Sequence, residues 1–148
     1  MNIYEVYCFE VYQLKKLNTS NVSTLYRVFY STSNVTNVNN TSALANWNVS
    51  NVTTMQAMFS PCSNLTDITA LANWNVSNVT NMGGMFDSCS NLTDVSALAN
   101  WNVSNVTTMR YMFNGCTNLT TLDISGWDTG EVTDATQFLY QCSKLTTS

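Results

Sequence analysis

The sequence predicts a mainly β fold: a right-handed solenoid of the leucine-rich-repeat kind, with parallel β ladders and short helical turns. Three observations predict it. The stretch Trp47–Leu71, W-N-V-S-N-V-T-T-M-Q-A-M-F-S-P-C-S-N-L-T-D-I-T-A-L, returns as Trp74–Leu98, again from Trp101, and in a looser copy from Trp127. Trp47, Trp74, Trp101 and Trp127 stand 27, 27 and 26 residues apart, and Cys62, Cys89, Cys116 and Cys142 keep the same steps. Within each copy the periodicity changes. L-T-D-I is short, β-prone and followed by turn residues, whereas Val52, Met55, Phe59 and Cys62 recur at helix-like steps of 3, 4 and 3. A fixed period of this length means that each copy buries its apolar side only by stacking on its neighbours.

Taken in order, residues 1–17 read as an N-terminal cap whose FEVYQL segment (9–14) forms a first strand, with Phe9, Tyr12 and Leu14 spaced like Leu119, Leu122 and Ile124. Residues 18–46 form a degenerate first repeat. Val22, Leu25, Val28 and Phe29 take its apolar places, Thr32 replaces the cysteine, and about three extra residues fall near positions 39–41. Repeats 47–73, 74–100, 101–126 and 127–148 follow, making one domain overall. Leu65, Leu92, Leu119 and Leu145 are expected to form one inward column, and Ile68, Val95 and Leu122 another. Val52–Met55 reads equally as a second short strand. The N-W-N-V-S-N segment is a corner, because Asn and Ser side chains bond locally to backbone. Side-chain amide ladders are expected along Asn48–Asn75–Asn102 and Asn51–Asn78–Asn105.

Composition excludes several classes of function. Only 9% of residues are charged, the net charge is −4, and the five basic residues are scattered. No basic stripe exists to neutralise nucleic-acid phosphates or dock on anionic lipid. No apolar run approaches the roughly 18 residues of a membrane span. The N-terminus places Glu5 and Glu10 inside its apolar part, unlike a signal peptide. With no histidine and no CxxC pair, a zinc site is not expected. Stacked cysteines would lie about 4.8 Å apart. A disulfide wants Cβ atoms near ~3.8 Å, so a column of buried free thiols is expected instead.

Nothing in the chain pairs a Ser or Cys nucleophile with a base, and Gly83-Gly84 is an isolated pair rather than a phosphate loop. No enzyme activity, cofactor or metal is therefore expected. The Met55/Met82/Met109 and Met58/Met85/Met112 columns, beside Phe59, Phe86 and Phe113, read as core. The tryptophan column reads as a buried staple whose indole N–H finds a carbonyl, with an exposed glycan platform as the alternative. With Leu65, Ile68 and Ala70 inward, Asp67 and Thr69 point outward. Their equivalents are Asn37 and Asn39, Asp94 and Ser96, and Thr121 and Asp123. These eight are the candidate ligand face. Asp67 and Asp94 would stack about 4.8 Å apart, either as hydrated carboxylates or around a weakly held calcium ion. Regular threonine ranks (Thr53/80/107/133 and Thr66/93/120/146) raise ice binding as a third reading. The many N-x-[ST] sequons follow from the repeat itself and say little about glycosylation.

The unit W-N-V-S-N-V-T-x-M-x-x-M-F-x-x-C-x-N-L-T resembles the repeat, ~26 residues long, of BspA-like bacterial surface proteins, an atypical leucine-rich-repeat family. The resemblance covers about residues 18–148 and departs at Thr32, at Ala135 and at Phe138-Leu139. It implies a right-handed solenoid on an exported or wall-attached protein, used in adhesion, and no catalytic residues. The expected function is thus a non-catalytic interaction module, at the cell surface or secreted, that binds protein or glycan through its sheet face. The rival is a structural spacer presenting another domain. The last copy stops where a strand should begin, so an open edge, softened by Asp128, Glu131, Asp134 and Lys144, is expected either to be covered by chain continuing beyond Ser148 or to pair end to end.

Overall fold

Each repeat is built from local side-chain-to-backbone bonds before it packs. The computed structural model describes residues 16–32 and 43–146. The expected strand at 9–14, the insertion near 39–41, and Asn37 and Asn39 lie outside the described residues. The corner after each tryptophan is an Asx turn: Asn48 Oδ1 accepts the Ser50 N–H at 3.0 Å and the Ser50 hydroxyl at 2.7 Å. Asn18, Asn75 and Asn102 repeat the arrangement with Ser20, Ser77 and Ser104. The backbone then extends for one residue. Thr24, Thr54, Asn81, Thr108 and Asp134 form a line of parallel bridges from repeat to repeat.

Extension stops there for a chemical reason. The bridging side chain captures the N–H two residues on: Thr54 Oγ1 from Gln56 at 3.3 Å, Asn81 Oδ1 from Gly83 at 2.9 Å, Asp134 Oδ1 from Thr136 at 3.0 Å. Such side chains offer the backbone a turn in place of a ladder. The next residue is left-handed in every repeat, with φ from 53° to 61° at Arg27, Ala57, Gly84, Tyr111 and Gln137. Four of these are not glycine. Three of them, Arg27, Ala57 and Tyr111, use the left-handed N–H across the stack, donating to Gln56, Gly83 and Thr136 carbonyls at 3.1, 2.9 and 2.8 Å.

The mainly β leucine-rich-repeat solenoid expected above is therefore corrected. Among the described residues there is no strand and no sheet, only isolated parallel bridges and three short 3-10 helices, Leu44–Asn46, Thr69–Leu71 and Ser96–Leu98. The L-T-D-[IV] segment fails as a strand in the same way as Thr54. Asp67 and Asp94 each take the N–H of the residue two on, at 2.8 Å, and the chain turns into a 3-10 helix. Val52–Met55 contributes one bridging residue, Thr54, and no strand.

The repeats nevertheless stack in register, which places the core. Phe29, Phe59, Phe86 and Phe113 lie nearly parallel, with ring centroids 5.3, 5.5 and 5.6 Å apart. Met55, Met58, Met82, Met85 and Met112 are fully buried beside them, as are Leu65, Leu92 and Leu119. Ile68 and Val95 are buried too, while Leu122 and Leu145, toward the last repeat, are only partly covered. Trp47, Trp74, Trp101 and Trp127 are all buried, and the indoles of Trp74, Trp101 and Trp127 donate to Leu44, Leu71 and Leu98 carbonyls at 2.8, 3.0 and 2.9 Å. This is the staple and leaves no exposed platform for a sugar. Cys62, Cys89, Cys116 and Cys142 are free thiols, each with Sγ 3.0 to 3.2 Å from the carbonyl of Phe29, Phe59, Phe86 or Phe113. The expected amide ladders are also corrected. Asn48, Asn75 and Asn102 bond within their own turns, and Asn51, Asn78 and Asn105 donate to the backbone carbonyls of Ser20, Ser50 and Ser77.

Candidate functional site

The ligand face expected from sequence turns out to be largely self-satisfied. Asp67 and Asp94 cap the 3-10 helices that follow them, and Asp94 Oδ2 also accepts the Ser96 hydroxyl at 3.0 Å. Thr121 bridges to Asp94 in the preceding repeat. Asp123 accepts both the N–H and the hydroxyl of Ser125, which hold its carboxyl below the usual carboxylate range. Thr69, Ser96, Thr121 and Asp123 are exposed, and Asp67, Thr69, Asp94 and Ser96 line a small hollow floored by Ile68 and Ala97. Among the described residues no three His, Cys, Asp or Glu side chains group as metal ligands. The rank Thr53, Thr80, Thr107 and Thr133 is exposed, yet each hydroxyl donates to a carbonyl of the preceding repeat at 3.1 to 3.2 Å.

A different face gathers much of what distinguishes the two most alike repeats. Copies 47–73 and 74–100 differ at seven positions. Two of these, Ile68/Val95 and Thr69/Ser96, are near-isosteric. The other five, Thr54/Asn81, Gln56/Gly83, Ala57/Gly84, Ser60/Asp87 and Pro61/Ser88, surround the M-x-x-M-F-x-x-C turn. The Met, Phe and Cys side chains of that turn stay constant because they fill the core.

The sizes of these outward residues make a groove. Tyr30 and Arg27 from the first described repeat form one wall; Arg110 and Tyr111 from the fourth form the other. Between them lie small residues at the same registers: Ala57, Ser60, Gly83 and Gly84. A Cβ on Gly83 would sit 3.2 Å from Arg110 Cγ, so the glycine is what lets Arg110 fold over the floor. At the centre, Asp87 accepts from Ser60 Oγ at 3.2 Å, Asn114 Nδ2 at 2.7 Å and Ser88 Oγ at 3.2 Å.

Charge converges on the same place. Arg27 and Arg110 are the chain's two arginines, 83 residues apart in sequence, and both line this groove. The Arg27 guanidinium carbon stands 4.4 Å above the Tyr30 ring and 5.2 Å from that of Tyr26; Arg110 stands 5.0 Å from the Tyr111 ring. Cation–π contact with a ring holds a guanidinium without using its N–H donors. Among the described residues neither guanidinium has a hydrogen-bond acceptor, and Arg27 Nε is buried without one. Two guanidinium forks thus stand at either side of the hydrogen-bonded Asp87 carboxylate. The sequence reading takes Gly83-Gly84 as an isolated pair, not a phosphate loop. A signal for this site lies in comparing the two most alike repeats, in which smaller residues stand where Arg27, Tyr30, Arg110 and Tyr111 stand in the flanking copies.

A family model described as "Mycoplasma protein of unknown function, DUF285" matches residues 3–97 and again residues 65–148. No curated protein matches the chain. No solved structure does either.

Proposed function

We propose, for a chain that belongs to the DUF285 family of Mycoplasma proteins of unknown function, a non-catalytic interaction module, displayed at a cell surface or secreted, that binds its ligand in the groove between Arg27 and Arg110. The observation carrying this reading is the groove itself, which is walled by the chain's two arginines and lined by three of the pairs at which the two most alike copies differ, Gln56/Gly83, Ala57/Gly84 and Ser60/Asp87. A pure spacer needs only the constant positions, which supply all of the stacking. A binding surface needs outward residues that differ from turn to turn. The resemblance to BspA-like surface proteins supports the display at a surface.

Filling the groove tests the reading. Tyr111 occupies the left-handed register with φ 58°, so tyrosine is tolerated at the equivalent Ala57 and Gly84. Ala57→Tyr/Gly84→Tyr should leave the melting temperature within a few degrees. It should weaken binding to whichever glycan or matrix protein the unmodified domain captures on an array by at least about tenfold, a change of ~1.4 kcal/mol. Binding unaltered by the filled groove, or no capture on any array, would leave the spacer as the better account.

A further inference from the structure

We infer that the groove takes a carboxylate-bearing saccharide, a uronic-acid-type sugar whose carboxylate is held by Arg27 or Arg110 while its hydroxyls donate to Asp87. This rests on the groove being the binding site proposed above, and adds the chemical class of the ligand. Guanidinium pairs with carboxylate through two parallel N–H···O bonds. Both arginines are already immobilised against tyrosine rings, which lowers the ordering cost of such a clamp. Two cations, of which Arg110 also feels the Asp134 charge of the next repeat, set the charge preference. Asp87 sets the rest: a carboxylate already accepting from Ser60, Ser88 and Asn114 has acceptor capacity for a hydroxyl, yet repels a second anion pressed against it. An anionic group flanked by hydroxyls meets both demands. A densely charged polyanion meets only the first.

An acidic peptide is the competing ligand, and the groove lacks what peptides use. Strand addition needs free backbone groups, but the floor N–H groups of Ala57 and Gly84 are bonded to Gly83 and Arg110 carbonyls. Side-chain anchoring needs apolar pockets, and here the sole aliphatic lining residue is Ala57. The tyrosine rings at the walls instead suit the C–H faces of a pyranose.

Calorimetry with tetragalacturonate as probe tests the assignment, with its methyl ester and hexaglutamate as comparisons. The free acid should bind at least about tenfold more tightly than the ester, ~1.4 kcal/mol, and hexaglutamate more weakly than the acid. Arg27→Gln/Arg110→Gln should lose that preference at unchanged melting temperature; Gln137 shows that the left-handed register accepts glutamine. Equal binding of acid and ester overturns the assignment, as does absence of tetragalacturonate binding. Tighter binding of hexaglutamate overturns it in favour of a peptide. Should the double variant fold poorly, the acid–ester comparison on the unmodified chain decides alone. Failure with the uronate while the filled groove still abolishes capture on arrays removes the ligand class and leaves the groove standing. Failure of both removes the groove.

Discussion

Phe86→Ala should lower the unfolding free energy by about 3–5 kcal/mol, the cost of removing a fully buried aromatic ring from a core that cannot collapse around the gap. Phe86 is 0% exposed and stacks on both neighbours, 5.5 Å from Phe59 and 5.6 Å from Phe113, with ring planes within 3° of parallel. A loss of that size is a large part of the ~5–15 kcal/mol that domains commonly possess. Its position matters as much as its area. In a stacked array stability is a sum over repeats and the interfaces between them, so a void at the middle repeat weakens two interfaces at once. Denaturant unfolding of the variant should therefore broaden or divide into two steps. Phe138→Ala supplies the contrast. That ring meets Phe113 edge-on, at 83°, and is only partly buried in the last repeat. Its removal should cost less than half as much and leave a single transition. Equal losses at the two sites would mean that the stack does not transmit stability between repeats.

The core and the stacking were legible from residues, because period and burial are set by the same side chains. Cys62, Cys89 and Cys116 could be placed inside as free thiols from spacing alone. The kind of backbone was not legible. Thr54, Asn81, Asp67 and Asp94 have polar side chains one bond-reach from the N–H two residues on, and whether that bond or a ladder bond forms is decided by three-dimensional fit rather than by propensity. The sequence motif suggested strands, and the Asx and Thr turns removed them. Trp74, Trp101 and Trp127 illustrate the opposite case: the reading as a staple at a polar corner matches indole N–H groups that donate to carbonyls of the repeat before. The groove was not legible in the repeat unit, because it is lined by outward positions that vary between copies, and Arg27 and Arg110 come together only when the two intervening repeats stack at a known spacing.

Alkaline solution should expose the cost of the thiol column, with a sign that burial dictates. Burial pushes the Cys116 thiol from its ordinary value of 9.0 up to about 12, and raises Cys62 and Cys89 as well, Cys89 further by the neighbouring Cys116 and Cys62 charges. An unfolded chain releases these protons near pH 9, whereas the folded chain keeps them. Stability from the raised values is thus fully present below about pH 9 and drains away as the pH rises toward 12. For Cys116 alone the difference of three pH units corresponds to about 4 kcal/mol. Tyrosines titrate in the same window, near ~10, so the measurement must isolate the thiols. Cys89→Ala/Cys116→Ala should be somewhat less stable than the unmodified chain near pH 7, having lost two buried sulfurs and their contacts to the Phe59 and Phe86 carbonyls. Its stability should fall less steeply above pH 9, so that the two curves converge and then cross. Curves that stay parallel to pH 12 would mean the thiols ionise in place, which a column buried to this degree does not permit without opening the stack.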